Sequence, residues 1–262
     1  MWVRVDTRRP LAILIVALSA LAWLAIWLWG RSPYGRFLSH HNLDAIRGNG
    51  ALALVFIAGW TVMVIAMMLP TSLPLIALFQ TFTRQRPNRV QLVALLIAGY
   101  LEVWILFGVL VYAGDWALHQ AIDRNAWFAA NAWMLGALVL ILAGVYQFTP
   151  LKYYCLDKCR SPMSFILGHW HGHDEAQQAF ALGAHHGLFC VGCCWSLMLL
   201  MFAVGVGSLG WMLALGMVMA VEKNVPWGRR LSLPLGVALL AWGVLILLTG
   251  EPAALAHIPY AG

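Results

Sequence analysis

The chain has 262 residues, 62% of them apolar and 10% charged, with a net charge of +6 and a mean hydropathy of +0.80. Soluble proteins average about 25% charged residues, so this chain has too few charges to coat a globule of its size, and lipid is the expected solvent for most of it. The composition excludes a disordered region, a collagen-like repeat and a secreted disulfide scaffold; the basic residues stand in short clusters between apolar runs, which is how membrane orientation is written rather than a nucleic-acid surface.

A membrane-spanning helix needs roughly 20 apolar residues, and the runs of that length are taken here in chain order. The first, 11–29, resembles a signal peptide but ends in Trp27, Leu28 and Trp29 instead of small residues before a cleavage site, so a retained anchor is expected. The second, 51–79, is interrupted by Pro70 and Pro74. The third and fourth cover 90–112 and 127–148. From Leu188 to Val221 there are 34 residues without a charge, about 51 Å as one helix against a hydrocarbon core of about 30 Å. That stretch is read as two spans, 188–206 and 209–221, separated by a glycine-rich break between Gly205 and Gly210. The run 231–248 completes seven expected spans in one all-α, polytopic transmembrane domain.

Lys and Arg favour cytoplasmic connections. With the N-terminus inside, the inner segments hold Arg4, Arg8, Arg9, Arg84, Arg86, Arg89, Lys152, Lys158, Arg160, Lys223, Arg229 and Arg230, twelve in all. Arg31, Arg36, Arg47 and Arg124 fall outside, only four. The bias predicts an N-in, C-out chain with a cytoplasmic Cys/His-rich loop over 150–186.

All five cysteines and five of the nine histidines lie between Cys155 and Cys194. Cys155 and Cys159 follow the fourth span, while Cys190, Cys193 and Cys194 begin the fifth, so both groups approach the same membrane face. On the cytoplasmic side thiols stay reduced, which favours metal or redox chemistry over structural disulfides. Two Cys pairs at spacings of this kind suit a tetrahedral metal site; the competing reading is that they are small buried hydrophobes. Asp174 followed by Gln177 fits a capping box, which starts the fifth helix before its apolar run. His186, Cys190, Cys194 and Met198 then recur every four residues, with Cys193 on the flank of the stripe. Such soft donors suit Cu(I); zinc is the alternative cofactor, and an iron–sulfur cluster or haem also fits thiolate or imidazole donors. Core packing is the plainer account of the methionine.

His169, His171 and His173 alternate with Trp170 and Gly172, and in an extended segment their imidazoles would converge on one ion. A solvated polar loop explains them equally. Glu102 lies near the middle of the third span, where an ionisable group is costly, so it is expected to be protonated or closely partnered, with Trp104 or Gln147 as candidates. Glu222 and Lys223 end the sixth span, where pairing or snorkelling would account for them.

Ala66, Met67, Met68, Leu69 and Pro70, the Cys155-x3-Cys159-Arg160-x-Pro162 run, Cys190 to Trp195, Trp211-Met212 and Glu222-Lys223 together resemble a bacterial family of predicted metal-binding integral membrane proteins of unknown function. The resemblance runs from the second span onward and implies a metal, but no reaction. The donor types and the charge bias suggest handling of a soft ion, Cu(I) before zinc, at a cytoplasmic thiolate site in the bacterial inner membrane, with a metal-donor or metal-acceptor protein as partner. A membrane thiol oxidoreductase is a second reading, and a structural or assembly subunit with packed cysteines or a structural zinc site is a third. No nucleotide-binding loop is present, so a nucleotide is not an expected partner.

Overall fold

The structure, a computed structural model, describes residues 8–31, 50–125, 127, 131, 133–172, 174–204 and 209–249. Among these residues it is all helical. Helix α1 is Arg8–Arg31, α2 Gly50–Met67, α3 Leu73–Phe82, α4 Arg89–Asp123 and α5 Trp133–Tyr146. Then come α6 Pro150–Arg160, α7 Pro162–His169, α8 Glu175–Val204, α9 Leu209–Asn224 and α10 Ser232–Thr249.

Four stretches, Pro10–Gly30, Arg89–Ile122, Glu175–Met201 and Gly228–Thr249, are long and apolar enough to cross a membrane. Counting each of two bent helix pairs as one span raises this to six. The remaining candidate, α9, has 16 residues, or about 24 Å of helix, shorter than a hydrocarbon core of about 30 Å. The break expected between the fifth and sixth runs lies outside the described residues; α8 ends at Val204 and α9 begins at Leu209.

Prolines set the bends. Pro70 and Pro74 lack the amide that would continue an α-helical ladder, so a 3-10 turn, Pro70–Ser72, separates α2 from α3 at an angle of 43°. Pro150 does the same between α5 and α6, at 65°.

The 150–186 stretch, expected as a loop, is instead mostly helical. Thr149 caps α6 by accepting the Lys152 amide at 3.3 Å, with Pro150 in the first turn, and Pro162 starts α7 in the same way. The low apolar content of this region suggests a loop, whereas α6 turns Lys152 inward onto a buried partner and leaves Lys158 exposed. Helix α8 begins at Glu175, ahead of its apolar run. The reach-back to the preceding segment comes from Gln178, whose Oε1 accepts the amides of His171 and Gly172 at 2.8 and 3.3 Å.

Helices α4 and α8 form the axis of the bundle, and glycines let their backbones touch. A Cβ at Gly183 of α8 would fall 1.9 Å from the carbonyl oxygen of Leu96, and one at Gly99 of α4 would fall 2.2 Å from that of Phe180. Small residues at such crossings allow close helix packing without a side-chain layer. Gly187, four residues after Gly183, would place a Cβ 3.1 Å from the Tyr100 carbonyl oxygen. This crossing brings the buried ring of Tyr100 against Cys190 on α8.

Candidate metal centre

The site is built on α8, whose Cys190, Cys193 and Cys194 are all buried. Helix α6 brings Cys159 to them, its Sγ 3.9 Å from that of Cys193. Cys193 Sγ also lies 3.3 Å from Cys194 Sγ and 3.2 Å from the Cys190 carbonyl oxygen, to which it donates. Cys155, buried one turn before Cys159, lies over Gly192, where a Cβ would come within 2.6 Å of its Sγ. All five cysteines are free thiols. The two cysteine groups thus meet in one place, with α6 folding back along α8 after the Pro150 bend.

Cys190 faces a separate set of polar groups. The Tyr100 hydroxyl is 3.0 Å from its Sγ, and Lys223 of α9 donates to the same sulfur at 2.8 Å. Lys223 Nζ also reaches Thr71 Oγ1 at 3.3 Å and lies 3.8 Å from Met68 Sδ. The break at Pro70 supplies these partners, because a turn there leaves Thr71 and Ser72 pointing into the bundle. Ser72 Oγ lies 3.3 Å from His186 Nε2. The other imidazole nitrogen of His186, Nδ1, is buried without a hydrogen-bond partner, a costly arrangement unless another group binds there. Tyr100 stacks on the same ring at 5.7 Å.

Soft thiols beside an unpartnered buried imidazole nitrogen form a donor set suited to Cu(I). Among the described residues, no three His, Cys, Asp or Glu side chains stand arranged to hold a metal ion, so ligation by three or more of them requires rotation of thiol side chains from their present positions. Met198 lies in the core one turn past Cys194.

The histidines before α8 do not line one extended segment. His169 closes α7, and its Nδ1 sits 2.9 Å from the Phe165 carbonyl oxygen. His171 follows in an exposed stretch, and His173 lies outside the described residues. The three imidazoles do not share one extended segment because Pro162 starts a helix that runs through His169. That ring instead faces His185 of α8, at a centroid separation of 5.1 Å.

Glu222 and Lys223 neither pair with each other nor snorkel. Glu222 of α9 is 1% exposed and accepts from Lys152 Nζ of α6 at 2.9 and 3.0 Å. Ser232 Oγ donates to the same carboxylate at 2.6 Å, and Lys152 also donates to Gln147. Two of the twelve lysines and arginines counted as inner-loop charges, Lys152 and Lys223, are therefore buried. Arg160 caps the end of α9 by donating to the Glu222 and Pro226 carbonyls.

Glu102 lies on the exposed side of α4 in line with Leu106 and Leu110, and no hydrogen bond or ion pair reaches it among the described residues. Gln147 is taken by Lys152. Trp104 turns inward, its indole nitrogen buried and unpartnered. Glu102→Gln is expected to insert and to melt no lower than wild type, since a neutral amide is no costlier than a carboxyl group on an apolar exterior. Loss of folding in Glu102→Gln but not in Glu102→Asp would reveal a bound cation or a charged partner.

Lys223, expected only to pair or snorkel at the end of a span, instead serves Cys190, and Tyr100, Thr71, Ser72 and His185 were not among the expected site residues. The visible signals were a lysine at the end of a long uncharged run, hydroxyls just after Pro70, and a His185-His186 doublet preceding the cysteines.

A helical bundle with a buried multi-thiol centre defines the general class. The chain belongs to the copper chaperone family: the family model PpoB2, described as a copper chaperone, matches residues 57–246. That range contains every residue of the centre. Neither the comparison with curated proteins nor that with solved structures gave a match.

Proposed function

We propose that this protein is a membrane-embedded copper chaperone that takes Cu(I) at a thiol centre made by Cys159, Cys190, Cys193 and Cys194, with Cys155 and His186 as adjoining donors. It would then pass the ion to a partner protein. The observation that carries the reading is the 3.9 Å approach of Cys159 to Cys193 across two helices, in a chain whose family is described as a copper chaperone. Packed thiolates repel one another, and a bound monovalent cation offsets that repulsion. Before loading, the Lys223 ammonium supplies a positive charge at Cys190, and the break at Pro70 supplies hydroxyls for that ammonium. Met198 would serve as a further soft donor one turn deeper.

The membrane part of the proposal rests on the apolar exterior, with Leu14, Leu110, Met217 and Leu248 all largely exposed. Seven spans, with α9 as a short one, agree with an N-in, C-out chain. The positive-inside bias survives the burial of Lys152 and Lys223, since ten basic residues against four remain for the inner face. The bias supports the reading of the thiol centre as lying on the cytoplasmic side of a bacterial inner membrane.

Lys158→Cys tests the orientation, because Lys158 is exposed on α6 while most of the native thiols are buried. An impermeant thiol reagent should label it only after the inner membrane is opened. Labelling before that step would reverse the topology. Copper analysis distinguishes this reading from a zinc site or packed cysteines, as argued in the Discussion.

A further inference from the structure

We infer that His169 and His185 form a second, all-nitrogen Cu(I) site, an entry point from which the ion moves inward to the thiol centre. The inference rests on the copper reading above but uses residues outside that centre.

His169 ends α7 and is half-buried; His185 is exposed on α8, five residues before Cys190. Their rings are 5.1 Å apart at 54°. The partner of His169 Nδ1 is a carbonyl oxygen, at 2.9 Å, which accepts only, so Nδ1 carries the proton and Nε2 keeps its lone pair. Orientation of an imidazole by a backbone carbonyl on its far nitrogen is the usual support of a metal-binding histidine. The Phe165 ring stacks on His169 at 4.6 Å and meets His186 edge-on at 5.7 Å. The three imidazoles therefore form a series of increasing burial, His185 against His169 and, across the Phe165 ring, His186. His186 presents its unpartnered Nδ1 inside, and Cys190 lies one turn further along α8. Imidazole suits copper, and thiolate suits Cu(I) better still, so a nitrogen-to-sulfur order of donors gives the ion a downhill route inward. No bond other than metal–ligand bonds changes, and the oxidation state is kept.

The test uses the full chain in mild detergent, loaded anaerobically with Cu(I) supplied as its acetonitrile complex, in wild type, His185→Ala and His169→Asn. Sulfur and nitrogen scattering at the copper edge separate the two sites, and thiolate-to-copper absorbance follows filling of the thiol centre. Wild type should hold a nitrogen-bound equivalent in addition to the sulfur-bound one. Each variant should lose the nitrogen-bound copper, keep the sulfur-bound copper at equilibrium, and fill it severalfold more slowly. His185 is exposed, so its variant keeps the fold; a melting curve confirms this for His169→Asn. Unchanged nitrogen scattering and filling rate in both variants would overturn the inference while leaving the thiol centre standing. Nitrogen-bound copper with no sulfur-bound copper in wild type would uphold the histidine site and overturn the thiol proposal.

Discussion

Lys152→Met is expected to destabilise the protein by about 3–5 kcal/mol, the cost of leaving one partner of a buried ion pair uncompensated. Lys152 and Glu222 are both buried, and the ammonium reaches both carboxylate oxygens, at 2.9 and 3.0 Å. Methionine matches the length of lysine but brings no charge, so among the described residues the Glu222 carboxylate would keep only Ser232 as a side-chain donor. Because the pair ties α6 to α9, the loss also loosens the helix that carries Cys155 and Cys159. Removing both charges, with Lys152→Met and Glu222→Gln together, should restore most of the stability, since a neutral pair has no uncompensated charge to bury. Thermal melting in mild detergent checks both variants. A single variant as stable as wild type, or a double variant no better than the single, would show that the pair does not hold α6 in place.

Cys193→Ser is expected to lower Cu(I) affinity at least tenfold, roughly the loss seen even when only an outer support of a metal ligand is removed. Cys193 is the junction of the centre, within 3.3 Å of Cys194 and 3.9 Å of Cys159. Serine nearly preserves the shape, but its oxygen is a hard donor that soft Cu(I) disfavours. Competition against a Cu(I) chelator measures the change. Cys155→Ser, whose sulfur lies over Gly192, should cost less. Equal, small effects at both positions would mean that the cysteines pack rather than bind.

The helices were readable in the sequence because uncharged runs long enough to cross a bilayer have few other uses, and Pro70 marked its own break. The early start of α8 was readable from polar residues ahead of the apolar run. Helix α6 was not. Its lysines and tyrosines look like a surface segment, and only tertiary structure turns Lys152 inward onto Glu222, 70 residues later. For the same reason Lys152 and Lys223 were counted as loop charges, although one serves an ion pair and the other a thiol. The nearness of the two cysteine groups in the sequence pointed to a shared site, but their contact depends on the Pro150 bend, which folds α6 back onto the middle of α8. Which groups surround Cys190 did not follow: Tyr100, Thr71 and Lys223 arrive from three other segments, and no local spacing links them. His185 was passed over because an exposed histidine next to a buried one carries no periodic signal.

The most direct test of the central claim is the copper K-edge spectrum, with metal content, of full-length protein purified in mild detergent and loaded with one equivalent of Cu(I) under reducing conditions. The thiol centre predicts one tightly held copper, retained after desalting, with sulfur as the dominant scatterer and little retention in Cys159→Ser or Cys193→Ser. Copper that washes off, or that remains bound with the same spectrum when those cysteines are replaced, would contradict it.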